Sequence, residues 1–114
     1  MQIGYLEFVT PNVDEFCAMY EKVHGVTFGE PVAELGNART TTLTSGGKVG
    51  VRGPMRPDET PIVRPYVLTK DIEGAIEAAK NAGAEIAIGP MELPGQGTFA
   101  IFLHNGIESA LWQN

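Results

Sequence analysis

The chain has 114 residues, of which 43% are hydrophobic, and it carries a formal net charge of −6 at pH 7. This length is enough for one domain, or for two very small halves that share a core, and the apolar fraction disfavours intrinsic disorder. The 14 acidic residues outnumber the 8 basic ones, which disfavours nucleic acid and anionic membranes as partners. No apolar stretch reaches membrane-spanning length and Met1–Gly4 carries no basic region, so we expect a cytoplasmic protein.

The first half begins with a predicted strand over Ile3–Thr10, where apolar and polar residues alternate. Asn12, with Glu15 three residues later, is typical of a capping box at a helix start, and Gly25 is placed to end that helix. An apolar stripe at helical spacing connects the two ends: Val13, Phe16, Cys17, Tyr20 and Val23. Three short strands are predicted next, separated by glycine-containing turns, at Pro31–Leu35, Arg39–Thr44 and Lys48–Arg52.

A connector of about residues 54–63 follows, in a stretch that contains four prolines, at positions 54, 57, 61 and 65. Asp58 and Glu59 lie among these prolines. Such a composition predicts an extended, solvated linker.

The second half repeats the order of elements in the first. Asp71 is a predicted helix N-cap, and strands are predicted at Tyr66–Thr69, Glu85–Ile88, Thr98–Leu103 and Ser109–Trp112. A constant shift of 59 residues maps Val13 onto Ile72 and Pro31 onto Pro90. We therefore expect a single domain, 1–114, that consists of module 1 (about 1–53), the linker and module 2 (about 64–114).

Several short motifs resemble the vicinal oxygen chelate superfamily, which includes glyoxalase I, bleomycin-resistance proteins and extradiol dioxygenases. They are the run from Arg64 to Glu73, Gly89-Pro90, the loop Pro94–Gly97 and Gly106 with Leu111–Gln113, and in the first half Glu7, Asn12, Tyr20 and Gly25. The resemblance covers nearly the whole chain. It implies an α+β fold of paired βαβββ modules that form a half-open eight-stranded cup, and it does not specify an activity.

Enzymes of this superfamily hold a divalent metal on a His/Glu set in the cup. Here the corresponding positions are Tyr5, the region Gly50–Arg52, Arg64 and Ala110, none of which is a plausible ligand. Metal catalysis of the family type is therefore disfavoured, and we expect no cofactor.

Three residues outside those positions could still carry chemistry. His24 is interpreted as a packing or capping residue at the end of the first helix, or as a displaced ligand. His104 is interpreted as a turn residue or a ligand. Cys17 is the only cysteine, which excludes an intrachain disulfide, and its place on the apolar stripe predicts a buried, inert thiol.

Strand alternation predicts which side chains line the cup. If Leu6 and Phe8 pack on the helices, the lining contains aromatic residues, two carboxylates and several cations, a mixture typical of small-molecule sites. The predicted ligand-binding residues are Tyr5, Arg52, Arg64, Tyr66, Glu108 and Trp112.

Glu7 faces the same side and is the candidate catalytic residue, as a general base. The alternative is a salt bridge with Arg52 or Arg64 that positions the strands. For Tyr5, Tyr66 and Trp112 two interpretations stay open: stacking on a planar ligand, or packing at a subunit interface.

Three functions are compatible with these residues. The first is a metal-independent small-molecule-binding protein, as in the drug-sequestering members of the superfamily, whose acidic balance would suit a cationic ligand. The second is a glyoxalase-like enzyme that uses Glu7 for proton transfer. The third is a lyase, isomerase or dioxygenase with an atypical metal site. A small-molecule ligand and a second copy of the chain, in a homodimer, are the expected partners.

Overall fold

The computed structural model describes all of residues 1–114 and has an α+β fold of seven strands and two helices. In chain order these are β1 (Ile3–Val9), α1 (Val13–His24), β2 (Arg39–Thr42), β3 (Lys48–Arg52), β4 (Ile62–Leu68), α2 (Ile72–Asn81), β5 (Glu85–Leu93), β6 (Gly97–His104) and β7 (Ile107–Gln113). The chain divides into an N-terminal unit, Tyr5–Val63, and a C-terminal unit formed by Met1–Gly4 and Arg64–Asn114. Neither helix is long and apolar enough to cross a membrane.

In the N-terminal unit the strand order is β2-β3-β1, with β1 parallel and β2 antiparallel to β3. One face of these strands packs on α1. Its core consists of Cys17, Phe28, Val49 and Val51, against which Leu6 and Phe8 also pack, as the alternation along β1 and β3 predicts. The other face of β1 and β3 therefore carries the odd residues of β1 and the even residues of β3.

The prediction of a strand over Pro31–Leu35 is wrong. Ala33–Leu35 is one turn of 3-10 helix, which ends at Gly36 with φ near 68°, and only an isolated bridge joins Val32 to Ala38. Pro31 has no N–H to donate to a ladder, and Gly36 and Asn37 both adopt left-handed conformations that turn the chain.

The backbone just before this turn is bonded to side chains. The Glu21 carboxylate accepts from the Phe28 N–H at 2.8 Å, and the Arg39 guanidinium donates to the carbonyls of Phe28 and Gly29. These bonds satisfy polar backbone groups that a regular strand would pair with its neighbour.

In the C-terminal unit the strand order is β4-β7-β6-β5, with β4 and β7 parallel and the other pairs antiparallel. The segment Met1–Gly4 belongs to this unit, and the Leu68 N–H donates to the Gln2 carbonyl at 2.8 Å. Helix α2 covers one face, where Ile72, Ile76 and Ala100 form the core and Ile86 and Leu111 pack against it. The two-residue turn Asn105-Gly106, with positive φ at both positions, sets the register of β6 and β7.

The observed helix ends agree in part with those predicted from the sequence. Gly25 ends α1 in the left-handed conformation, with φ of 65°, and Asp71 caps α2 by accepting from the Gly74 N–H at 3.0 Å, both as predicted. The prediction of a capping box at Asn12 is wrong, because the Asn12 side chain makes no capping hydrogen bond. Instead the Asn12 N–H donates to Thr10 Oγ1 at 3.2 Å.

The 59-residue repeat is visible in the element bounds. It maps Ile3–Val9 onto Ile62–Leu68 and the first residue of α1 onto the first residue of α2. The counterpart of β5 in the first half would be the region 26–34, which contains no strand and ends within the 3-10 turn. The chain thus has seven strands, and the eight-stranded detail of the predicted fold is not confirmed.

Candidate functional site

The residues predicted to line a binding site divide between the two units. Tyr5, Glu7 and Arg52 lie in the N-terminal unit, and the C-terminal unit contains Arg64, Tyr66, Glu108 and Trp112. In both sets, the side chains come from the strand face opposite the helix, because alternate residues of a strand point to opposite faces.

The N-terminal set is centred on Arg52, whose side chain is 6% exposed. Its Nε donates to Glu7 Oε2 at 2.9 Å, and Nη1 and Nη2 donate to the two carboxylate oxygens of Glu59, each at 3.0 Å. Nη1 also donates to the Gly53 carbonyl at 3.1 Å. The pair with Glu59 is thus bidentate, the geometry in which a guanidinium binds a carboxylate most specifically. We refer to Glu7, Arg52 and Glu59 as the ion cluster.

The ion cluster contains the salt bridge named as the alternative role of Glu7. One oxygen of the Glu7 carboxylate is bonded to the Arg52 guanidinium, so a substrate proton would compete with Arg52 for it. Burial by itself lowers the pKa of Arg52, but the hydrogen bonds and charges of Glu59 and Glu7 raise it well above its ordinary value. Arg52 is therefore a permanent cation in this cluster, and catalysis by Glu7 stays a prediction.

Glu59 is the member of the ion cluster that the sequence does not reveal. The proline-rich composition around it predicts a solvated linker, but the Glu59 side chain is only 8% exposed. Its Oε1 also accepts from the Met55 N–H at 2.7 Å. The hydrogen bond from Arg52 holds the pKa of Glu59 at about 2, below its usual 4.5, although burial opposes this shift. The linker is thus anchored at one residue.

Tyr5 lies on the same face and packs against β3. A Cβ atom on Gly50 would overlap the Tyr5 hydroxyl, which means that the glycine leaves the space for the phenol ring. Tyr5 is 4% exposed. Its ring therefore fills the position beside Gly50 and has little room to move.

The C-terminal set contains a second arginine–carboxylate pair. Arg64 of β4 donates from Nε to Glu108 Oε1 of β7 at 2.6 Å. The Arg64 side chain is buried, with 9% exposed, whereas that of Glu108 is 32% exposed. The Glu108 carboxylate thus remains in contact with solvent while its charge is paired.

Three aromatic rings lie on β4, β6 and β7. The Tyr66 ring is nearly perpendicular to that of Trp112, at 85° with centroids 5.6 Å apart, and packs edge to face with Phe99 at 6.2 Å. Phe99 lies directly opposite Trp112 in the β6–β7 ladder. Perpendicular rings at these separations are a favourable aromatic arrangement. We refer to Tyr66, Phe99 and Trp112, together with the Arg64–Glu108 pair, as the aromatic cluster.

Phe99 was absent from the predicted lining, but a signal for it exists in the sequence. A two-residue turn at Asn105-Gly106 pairs His104 with Ile107. Five residues away from the turn along each strand, Phe99 lies opposite Trp112. Hairpin turn chemistry therefore carries register information that strand alternation alone does not.

The residues at the family's metal positions do not fit a divalent metal. The first of these positions holds the phenol of Tyr5, which packs against Gly50. The others hold the guanidinium groups of Arg52 and Arg64 and the methyl group of Ala110. Carboxylate and imidazole donors are what such metals need, and the chain has no group of three or more His, Cys, Asp or Glu side chains that could hold an ion. We therefore derive no step through a metal.

The histidines and the cysteine lie elsewhere. The His24 ring packs edge to face on Tyr20 with centroids 4.7 Å apart, and His104 is the last residue of β6, next to the Asn105-Gly106 turn. Cys17 is fully buried in the core under α1, and this burial raises the pKa of its thiol. A raised pKa is the opposite of what a nucleophilic cysteine requires.

No family model matches the sequence, and no curated protein matches it. The fold is similar to that of several solved structures. A hypothetical protein of Bacillus halodurans, BH1468, superimposes with a TM-score of 0.78 at 11% identity, over 99% of this chain and 94% of that one. Methylmalonyl-CoA epimerase of Streptomyces coelicolor, solved in complex with 2-nitronate-propionyl-CoA, gives a TM-score of 0.71 at 14% identity, over 100% of this chain and 97% of that one.

Methylmalonyl-CoA epimerase of Mycobacterium tuberculosis also gives a TM-score of 0.71, at 10% identity, over 97% of this chain and 86% of that one. Methylmalonyl-CoA epimerase is a member of the vicinal oxygen chelate superfamily. The chain therefore shares its fold with a member of that superfamily. At these identities the likeness shows the fold alone.

Proposed function

We propose that the protein is a small-molecule-binding member of the vicinal oxygen chelate superfamily that binds an organic cation at its aromatic cluster, without a metal. The observation that carries this proposal is the aromatic cluster itself. The Tyr66 ring of β4 packs edge to face with Phe99 of β6 and with Trp112 of β7, and β7 also carries Glu108, a carboxylate that is one-third exposed. Apolar surface with a few placed polar groups is the usual composition of a small-molecule site.

The charge of the ligand follows from two features. Cations are attracted to the faces of Trp and Tyr rings, and Glu108 Oε2 is not used in the bond to Arg64, which goes to Oε1. The net charge of −6 would also attract a cation over a longer range. A ligand with a planar or branched apolar body and one positive charge would use both the rings and the carboxylate.

Trp112 provides the test, because it is the only tryptophan in the chain. We expect benzyltrimethylammonium to quench Trp112 fluorescence in a saturable manner, and its neutral carbon isostere neopentylbenzene to quench it at least tenfold more weakly, since the isostere lacks the charge. An equal response to both compounds, or no saturable response to the cation, would contradict the proposal.

A matched pair of variants locates the response. Glu108→Gln should weaken binding of the cation about tenfold, the equivalent of about 1.4 kcal/mol, because it removes the charge and keeps the shape. Glu77→Gln removes the same charge from the exposed side of α2, where Glu77 is 67% exposed, and should leave binding unchanged.

Pairing of two chains is part of the proposal. Strand β5 lies at the edge of the C-terminal strands and presents Ile88 and Met91, which are 39% and 50% exposed, and exposed apolar side chains at a strand edge favour association. Sedimentation should give a dimer at micromolar concentration, and a monomer there would contradict this part alone.

A further inference from the structure

Arg52 is already bound to a carboxylate, and that carboxylate comes from the linker. Glu59 meets the guanidinium with both oxygens, at 3.0 Å each, and both side chains are more than nine-tenths buried. A buried arginine that binds a carboxylate in bidentate geometry is the arrangement that proteins use to recognise carboxylate ligands.

The linker has few other attachments to the rest of the N-terminal unit. Residues 54–58, 60 and 61 are exposed, and the hydrogen bonds within it, from the Met55 N–H to Glu59 and from the Glu59 N–H to the Arg56 carbonyl, are local. One further contact is the Met55 side chain, which lies against Gly36. Detachment of this segment would therefore break mainly the pair between Glu59 and Arg52.

We propose that Arg52 is a binding site for a small carboxylate, and that Glu59 of the chain's own linker occupies it in the closed state. When the linker detaches, an external carboxylate can bind to the Arg52 guanidinium in place of Glu59. This site belongs to the N-terminal unit and uses no residue of the aromatic cluster. It would take an anion, whereas the aromatic cluster would take a cation, so the two proposals succeed or fail separately.

Chemical rescue of Glu59→Ala tests the site. The variant removes the linker carboxylate and leaves space where a carboxylate was, so we expect sodium acetate to raise its melting temperature in a saturable manner, by about 5 °C at ten times the dissociation constant. Sodium chloride at the same ionic strength is the control for screening. Wild type and Asp58→Ala, which removes the neighbouring exposed carboxylate, should respond to acetate and chloride alike.

Three outcomes would overturn the proposal. They are equal acetate responses of Glu59→Ala and wild type, a saturable response of Asp58→Ala, or no acetate response in Glu59→Ala beyond that to chloride. If Glu59→Ala is unfolded without acetate, the same titration follows the recovery of folded protein. Recovery that rises with acetate and not with chloride supports the site, and recovery that acetate does not improve overturns it.

Discussion

The two units place different chemistry at equivalent strand positions. Under the 59-residue repeat Glu7 of β1 corresponds to Tyr66 of β4, and the strand pairing places Arg52 and Trp112 at equivalent positions on β3 and β7. In one unit these positions hold a carboxylate and a guanidinium that bind each other. In the other they hold a phenol and an indole that pack at right angles.

This difference shows how a repeated module can hold two different side-chain clusters. The backbone determines where the side chains of the helix-free face meet, whereas the residue types determine which contacts those side chains make. The Arg52 guanidinium has three donor groups bonded within its own unit. Glu108, in contrast, is one-third exposed and bonded through one oxygen. The first cluster is thus closed by its own linker, and the second is the better candidate for a ligand.

The largest effect is expected from opening the ion cluster. Arg52→Met should lower the free energy of unfolding by about 3–5 kcal/mol, because it removes a buried cation that binds two buried carboxylates. Arg56→Met is the matched control, since Arg56 pairs with Asp58 at the surface, with side chains 66% and 83% exposed, and should cost less than about 0.5 kcal/mol. Urea unfolding measures both, and equal effects would contradict the assignment of a buried cluster.

Acid should weaken the same cluster. The pKa of Glu59 is about 2 in the folded protein and ordinarily 4.5, so its stabilising contribution is complete above about pH 4.5 and is lost as the pH falls through 2. The depression corresponds to about 3 kcal/mol. The urea midpoint of wild type should therefore fall between pH 5 and pH 2 by more than that of Glu59→Gln, and parallel curves would show that Glu59 does not carry this dependence.

A smaller loss is expected where Tyr5 packs on β3. Gly50→Ala should cost about 1–3 kcal/mol, because the added methyl group would overlap the buried Tyr5 ring. Gly29→Ala adds the same group at an exposed position where the nearest atom, the Thr40 carbonyl oxygen, is 3.8 Å away, and should change stability little. If the two variants have the same melting temperature, the assignment of close packing between Tyr5 and Gly50 is wrong.

The smallest change in stability is expected at the N-terminal caps of the two helices. Asp71→Ala should destabilise by about 1 kcal/mol, since it removes the carboxylate that accepts from the Gly74 N–H. Asn12→Ala should have almost no effect, because the Asn12 side chain makes no capping bond. Chemical denaturation of both variants measures the difference, and a larger loss in Asn12→Ala would reverse the assignment of the caps.

Local signals in the sequence predict most of the fold. The alternation in β1 and the cap at Asp71 depend on neighbours in the chain and agree with the prediction. The predicted apolar stripe of α1 packs in the core except for Val23, which is 66% exposed. The prediction of a strand at Pro31–Leu35 is wrong, because the Val32 carbonyl accepts from the N–H groups of Leu35 and Asn37 in a turn. The side chains of Glu21 and Arg39 bond the backbone of Phe28 and Gly29 just before that turn. No periodicity within five residues reports such a contact.

The candidate site could likewise be predicted only in part from the sequence. Arg64, Tyr66, Glu108 and Trp112 follow from strand parity, and within one unit Arg64 pairs with Glu108 and Tyr66 packs on Trp112. Glu59 could not be predicted, because its position depends on a linker without periodicity and on a bond to one arginine on β3.

A ligand site at the aromatic cluster is tested by mapping amide chemical shifts of the labelled protein during titration with benzyltrimethylammonium. We expect the largest shifts in β4, β6 and β7, around Tyr66, Phe99 and Trp112, and we expect Glu108→Gln to reduce their saturation at a given concentration. Shifts concentrated on β1 and β3 around Glu7 and Arg52, or the same shifts with neopentylbenzene, would contradict it.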